Sequence, residues 1–175
     1  MTMAHSIDGE LLAAEIPRLR RYARALTRNG QAADDLVQDC LERAWRKGHQ
    51  WEAGTDLCAW LFTVMHNLYV NGLRRRQPQT DPIGHAEFAD PRIQSQEASM
   101  QVRDLEQALG RLPPEQREVL LLVCLEELSY EQVASVTGVP IGTVMSRLHR
   151  ARERMRRFMS GEQSPTGGPV IRRVK

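Results

Sequence analysis

Five polar residues near the C-terminal end recur at intervals of four and three positions, and four of them are arginines. They are Thr143, Arg147, Arg150, Arg154 and Arg157. Residues at this spacing lie on one face of an α-helix. Guanidinium groups can pair with guanine edges in the major groove or bind backbone phosphates. The pattern therefore predicts a helix that contacts DNA.

The elements around this helix carry the local signals of a helix-turn-helix. Ser129 followed by Gln132 fits a capping box at the start of a short helix. Gly138 can take the left-handed conformation that ends that helix, and Pro140 suits the start of the next. A second, apolar stripe on the later helix consists of Val144, Leu148, Ala151 and Met155.

Small and apolar residues at the turn strengthen this prediction. Ala134 allows the two helices to approach, and Val144 fills the angle between them. Such a unit places its second helix in the major groove. The alternative is an ordinary helical hairpin with a solvated basic face, but such hairpins rarely combine all these features with so many arginines. DNA binding is the favoured interpretation.

The composition indicates an all-α protein with an uneven distribution of charge. The chain has 175 residues and a formal net charge of +2. Residues 143–175 contain nine Lys or Arg and two Asp or Glu, whereas residues 77–101 contain one Arg and four acidic residues. This asymmetry predicts a basic DNA-facing end and an acidic connector.

Features that are missing from the sequence limit the expected compartment of the protein and its expected cofactors. No apolar run reaches the length of a membrane span, and the N-terminus has no signal-peptide core, so we expect a cytoplasmic protein without membrane insertion. Cys40, Cys58 and Cys124 are widely spaced, so we expect reduced, buried cysteines and no metal. No nucleophile–base set is visible, so we expect neither a cofactor nor an enzyme.

Helical periodicity divides the chain into two small helical domains. We expect the first at residues 8–76, with a helix containing Pro17 that kinks or restarts there, a helix from about Gln31 to Lys47, and a third from about Leu57 to Arg76. Residues 77–97 hold three prolines and little periodicity, which predicts a flexible linker. A four-helix domain at 98–159 and a disordered basic tail at 160–175 follow.

Four segments together resemble the sigma-70 family of RNA polymerase sigma factors, in its extracytoplasmic-function (ECF) group. They are DDLVQDCLERAW (34–45), GTDLCAWLFTVMHNLYVNGLRRR (54–76), LPPEQREVLLLVCLEELSYEQVA (112–134) and GVPIGTVMSRLHRARERMR (138–156). Their order matches the family, with an acidic linker between the second and third. The resemblance implies two domains, sigma-2 and sigma-4.

For the second predicted helix, the resemblance implies docking on the clamp helices of the largest subunit of core RNA polymerase. The implied residues are Asp35, Leu36, Gln38, Asp39, Leu41, Glu42 and Trp45. An acidic face beside exposed leucine can meet a basic coiled coil. A rival interpretation compares the aspartates with the metal-binding aspartates of helical prenyl-diphosphate enzymes, but no second aspartate cluster is visible.

The family also implies recognition of the two promoter elements. Unpaired bases of the −10 element would meet Trp51, Gly54, Asp56, His66, Asn67, Asn71, Arg74, Arg75 and Arg76. An aromatic residue among glycines can seat a flipped base, although core packing is an equal alternative for Trp51 and the favoured one for Trp60 and Phe62. The −35 element would meet Thr143, Met145, Ser146, Arg147, His149, Arg150 and Arg154.

These implications define a sigma factor that binds core RNA polymerase, including its flap region, and directs it to promoter DNA. Control by an anti-sigma factor is expected from the family. Two alternatives remain open: a dimeric helix-turn-helix regulator, which would bind palindromic DNA without polymerase, and a sigma-mimic interaction module. The mimic would lack the basic stripe, which is present here.

Overall fold

The computed structural model describes residues 7–76 and 100–160, and within these ranges the fold is all-α, as predicted. Its helices are α1 (Gly9–Thr27), α2 (Gly30–Arg46), α3 (Leu57–Arg76), α4 (Met100–Gly110), α5 (Pro114–Cys124), α6 (Tyr130–Thr137) and α7 (Ile141–Met159). A 3-10 turn spans Gly48–Gln50. The predicted linker at 77–97 and, apart from Ser160, the predicted tail lie outside the described residues.

Helices α1, α2 and α3 form the N-terminal unit. Helix α1 runs through Pro17 as one helix, so of the two expectations, a kink or a restart, the restart is wrong. Arg28 ends α1 in the left-handed conformation, with φ 56°, and Asn29 then caps α2 through a bond from the Ala32 N–H at 2.8 Å. Helix α2 therefore begins at Gly30, one residue before the predicted start at about Gln31. Ile7, which precedes the domain predicted at residues 8–76, is buried.

Aromatic and aliphatic side chains from all three helices fill the interior of the N-terminal unit. The rings of Tyr22 and Phe62 meet edge to face, with centroids 4.9 Å apart. Leu19, Leu26 and Leu61 have no exposed surface. Each such leucine stabilises the fold by about 2 kcal/mol through burial. Phe62 is thus a packing residue, as favoured from the sequence.

Helices α4 to α7 form the C-terminal unit, and half-buried Arg117 links the end of α4 to α5. Its guanidinium donates hydrogen bonds to the carbonyls of Leu109, Gly110 and Leu112, satisfying the C-terminal end of α4. Burial lowers the pKa of this arginine. Pro114 is the first residue of α5, as expected, whereas Pro140 caps α7 from just outside it.

The two units are packed against each other. Helix α3 lies on α6 and α1 lies on α5. A single cluster of buried apolar side chains runs through both units. The sequence analysis had predicted two small domains joined by a linker and did not predict this packing.

The cysteines only partly follow the expectation of burial. Cys40 and Cys58 are buried, and the Cys40 thiol donates to the Leu61 carbonyl at 3.5 Å. Cys124, at the end of α5, is exposed, so its predicted burial is wrong. Its Sγ lies 4.0 Å from Nη2 of Arg152.

Candidate nucleic-acid interface and polymerase-docking surface

The helix-turn-helix predicted from the sequence is present in α6 and α7. The capping box is complete: the Ser129 N–H donates to Gln132 Oε1 at 2.9 Å, and the Gln132 N–H donates to Ser129 Oγ at 3.2 Å. Gly138 ends α6 at φ 67°, a conformation that glycine adopts without steric cost. Val144 has no exposed surface and fills the angle between the two helices.

Helix α7 has one buried face and one face open to solvent. Its buried residues are Val144, Leu148 and Ala151. The predicted −35 residues Met145, Ser146, His149, Arg150 and Arg154 are exposed, and Thr143 and Arg147 are half-buried. Arg157, at the end of the stripe, pairs with Glu153 at 2.7 Å. The exposed part of the stripe therefore lies on the solvent-facing side of α7.

The predicted −10 loop leads into α3. Trp51 is partly buried against the apolar cluster, and its indole N–H has no acceptor among the described residues. Gly54 takes φ 94°, which most other residues avoid. Asp56, rather than Thr55, caps α3 by accepting from the Ala59 N–H at 3.1 Å. The other oxygen of Asp56 accepts from Gln132 Nε2 at 3.0 Å, so it contacts the helix-turn-helix.

On α3, the predicted −10 residues fall into two groups. Asn67, Asn71, Arg74 and Arg75 are exposed, and the side chain of Arg76 lies outside the description. His66 is instead half-buried between the two units, with Nδ1 2.6 Å from Glu118 Oε1. His66 is thus separated from the exposed group by its contact with the C-terminal unit.

The predicted polymerase-docking face of α2 is largely exposed. Asp35, Gln38, Asp39, Glu42 and Trp45 face solvent, with Trp45 57% exposed, and Leu41 is half-buried. Asp35 accepts from Gln31 at 2.9 Å, and Glu42 pairs with Arg46 at 2.7 Å. Leu36 is only 8% exposed and packs in the apolar cluster, so it is not the exposed docking residue that the sequence analysis expected.

The sequence did not predict the charged residues that join the two units. Glu126 is wholly buried and pairs with Arg18 and Arg21. Arg117 reaches across to donate to the Leu26 carbonyl at 2.9 Å. The sequence did contain an indication of these contacts. Glu118 and Glu126 lie within apolar stretches of the chain, and a buried carboxylate needs a partner.

The described residues contain neither a candidate metal site nor a membrane-spanning helix. No group of three or more His, Cys, Asp or Glu is placed there to hold a metal ion. Among the same residues, no helix is long and apolar enough to cross a membrane.

Both units match known protein families. Residues 12–66 match the family described as the Sigma2 domain of PhyR, and residues 103–155 match Sigma-70, region 4. The chain is 34% identical to the ECF RNA polymerase sigma factor EcfG of Rhodopseudomonas palustris (strain TIE-1), over 97% of this chain and 93% of that relative. It is 32% identical to ECF RNA polymerase sigma factor SigE of Mycolicibacterium smegmatis, over 90% of this chain and 63% of that protein.

A solved structure agrees in fold and in sequence. It is the sigma factor RpoE from Bartonella quintana, crystallised with the anti-sigma factor NepR, with a TM-score of 0.70 and 32% identity. The match covers 88% of this chain and 97% of that one. The helix-turn-helix, the acidic α2 face and these matches over nearly the whole chain lead to one conclusion: the chain belongs to the ECF family of RNA polymerase sigma factors.

Proposed function

We propose that the chain directs core RNA polymerase to promoters by contacting DNA at two separate points. The observation that carries this proposal is the exposure pattern of α7, in which one face is buried and the other presents arginines from a helix-turn-helix. The contact residues and their roles are part of the proposal.

The first point of contact is the −35 element. Exposed Arg150 supplies bidentate donors for guanine or phosphate, and half-buried Arg147 adds a second guanidinium. Met145, which is 49% exposed, offers an apolar surface to a thymine methyl group. Arg154, one turn further along α7, supplies a phosphate contact that favours binding at low salt.

The second point of contact is the −10 element in its unpaired form. Asn67 and Asn71 present amides along the exposed side of α3, and Arg74 and Arg75 at its end supply charge for phosphates. Base capture by Trp51 requires the indole to leave its packed position, where its N–H is buried without an acceptor among the described residues.

Polymerase binding is assigned to the acidic face of α2, with Asp35, Asp39 and Glu42 steering the chain toward a basic coiled coil and Trp45 supplying apolar area. The C-terminal unit would contact the flap region. Because the relative RpoE was solved with NepR, we also propose that an anti-sigma factor controls this chain. The site of action would be the cytoplasm, where the polymerase is found.

Run-off transcription with purified core polymerase tests the function. Promoters are first selected from a genomic DNA library by the reconstituted holoenzyme, and transcripts are then mapped to their start sites. The proposal expects initiation at a fixed distance downstream of paired −35 and −10 sequences. Tight binding to palindromic duplex without polymerase, and no initiation with core, would favour the dimeric regulator instead. Absence of both activities would favour the sigma mimic.

A further inference from the structure

The first turn of α1 is fixed beside the end of α2. Ile7, just before α1, is only 3% exposed and packs against Gly48, where a Cβ atom would come within 3.0 Å of the Ile7 nitrogen and 3.2 Å of its Cγ1. Gly48 begins the 3-10 turn that follows α2. Asp8 then caps α1 by accepting from the Glu10 N–H at 3.0 Å. The start of α1 is therefore held in one place relative to the end of α2.

Trp45, in the last turn of α2, extends its indole over Gly9 of this first turn. A Cβ atom at Gly9 would lie 3.5 Å from Cζ3 and 3.8 Å from Cη2 of the ring, which are ordinary van der Waals distances. One methyl group therefore fits between the ring and the α1 backbone, whereas a longer side chain would have to share the space of the ring. Cζ3 and Cη2 lie on the edge opposite the indole nitrogen, so the N–H edge faces away from α1.

The orientation of Trp45 matters because this side chain belongs to the polymerase-docking surface that we propose. It is 57% exposed, so more than half of its surface is available to a partner. Tryptophans that fill a pocket on a partner commonly carry a large share of the binding energy. A side chain that already has its bound orientation loses less conformational freedom on binding. A residue that sets the direction of the indole therefore affects affinity.

We propose that Gly9 is a positioning residue for polymerase docking: because it has no side chain, it lets Trp45 extend over α1 in the orientation that core polymerase binds. Gly9 acts through Trp45 and does not itself contact the polymerase. The inference rests on the proposed function, which assigns Trp45 to the docking surface. It makes the first turn of α1 a support for a surface that otherwise lies on α2.

Titration with core polymerase tests this role on the full-length chain, which carries a fluorophore on exposed Cys124. Gly9→Ile introduces a branched side chain with few χ1 rotamers, which should displace the ring and raise the Kd roughly three- to tenfold. Gly9→Ala is the conservative variant, since it adds only the methyl group that fits, and it should retain the affinity. Ala14→Ile is the matched control, because Ala14 is exposed on another face of α1.

A double-mutant cycle shows whether Gly9 acts through the indole. In a chain that already carries Trp45→Ala, Gly9→Ile should cause no further loss of affinity, because the ring that it would displace is absent. A further loss as large as that in the unsubstituted background would overturn the inference. Gly9 would then contact the polymerase directly or act on the fold.

Fluorine NMR reports the position of the ring in the free chain. The chain has three tryptophans, so labelling with 7-fluorotryptophan gives three resonances and leaves Cζ3 and Cη2 unmodified. Trp45→Phe identifies the resonance of Trp45. Gly9→Ile should shift this resonance, and Ala14→Ile should not. An unshifted resonance in folded Gly9→Ile would show that the ring does not depend on Gly9, and the inference would be wrong.

Trp45→Ala alone separates this inference from the function beneath it. If Trp45→Ala binds core as tightly as the unsubstituted chain, the docking assignment fails, and the role of Gly9 fails with it. If Trp45→Ala weakens binding by roughly thirtyfold, as for an interface hot spot, while Gly9→Ile has no effect, only the role of Gly9 is wrong. Should Gly9→Ile fail to fold, as judged by circular dichroism, the unbranched Gly9→Gln replaces it in all three measurements with the same expected outcomes.

Discussion

The side chains of Ser129 and Gln132 exchange hydrogen bonds with each other's backbone N–H groups at the start of α6. The same Gln132 amide uses its nitrogen to reach Asp56 of the N-terminal unit at 3.0 Å. One residue therefore stabilises the helix-turn-helix and joins it to the loop before α3. Substitution of Ser129 removes the helix cap, whereas substitution of Asp56 removes the contact between the units. The two losses can therefore be measured separately.

Removal of the cap alone is the first prediction. Ser129→Ala leaves the Gln132 N–H without its acceptor, and we expect the free energy of unfolding to fall by about 1 kcal/mol. Urea denaturation followed by circular dichroism measures this change. Ser129→Thr retains a hydroxyl, so its free energy of unfolding should fall much less. Equal stability of Ser129→Ala and the unsubstituted protein would mean that the cap contributes nothing to α6.

The second prediction concerns the recognition helix. Arg150→Ala removes an exposed guanidinium, and we expect −35-dependent initiation to weaken by about 1–3 kcal/mol if a bidentate base contact is lost. Arg147→Ala should act in the same direction. Affinity for core polymerase should not change, since the docking face that we propose lies on α2 and neither arginine is assigned to the proposed flap contact. Arg20→Ala, an exposed arginine on α1, is the control. An equal loss on promoters with a scrambled −35 element would indicate phosphate binding instead.

The helix-turn-helix could be predicted from the sequence because its signals are local. The Ser129 cap, the left-handed Gly138 and the buried Val144 each act within a few residues of their own position. On α2, the resemblance assigned both Leu36 and Trp45 to the docking face. Leu36 is buried, whereas Trp45, in the last turn of the helix, is exposed and becomes available to a partner.

The packing between units could not be predicted, because it depends on pairs far apart in the chain. Arg18 and Glu126 are separated by 108 positions, and no periodicity links them. The sequence around Arg18 does not distinguish it from the neighbouring arginines Arg20 and Arg24. Its role depends on which residue of the C-terminal unit lies opposite, and this is set by how α5 packs on α1.

A third prediction tests the docking face. Reversing charge at both Asp35 and Asp39 should weaken association with core polymerase, since both carboxylates are exposed on α2 and would then repel a basic surface. Fluorescence titration with core measures the affinity. Binding of −35 duplex by the C-terminal unit should be unchanged. Reversing charge at both Asp104 and Glu106, which are exposed on α4, controls for net charge. Unaltered core affinity in the Asp35 and Asp39 double variant would refute the docking assignment.

The fourth prediction follows from the burial of Leu36. Leu36→Ala removes a buried side chain and should destabilise the fold by about 2–5 kcal/mol. Leu41→Ala, at a half-buried position on the same helix, should destabilise the fold less than Leu36→Ala does. It should weaken polymerase binding more. Thermal unfolding and core binding, measured on both variants, separate the two roles. A stable Leu36→Ala with weak core binding would restore Leu36 to the docking surface.

The last prediction concerns the three cysteines. Burial raises the pKa of Cys40 from 9.0 to about 12 and also raises the pKa of Cys58, so neither forms a reactive thiolate in the folded protein at neutral pH. A chromogenic disulfide reagent should therefore titrate only exposed Cys124 rapidly, and all three thiols after unfolding. Unfolded thiols ionise near pH 9 while the folded Cys40 keeps its proton, so the free energy of unfolding should fall as pH rises from 9 toward 12. Cys40→Ala should reduce that slope. Rapid reaction of two or three thiols in the native protein would show that the interior opens more readily than its packing indicates.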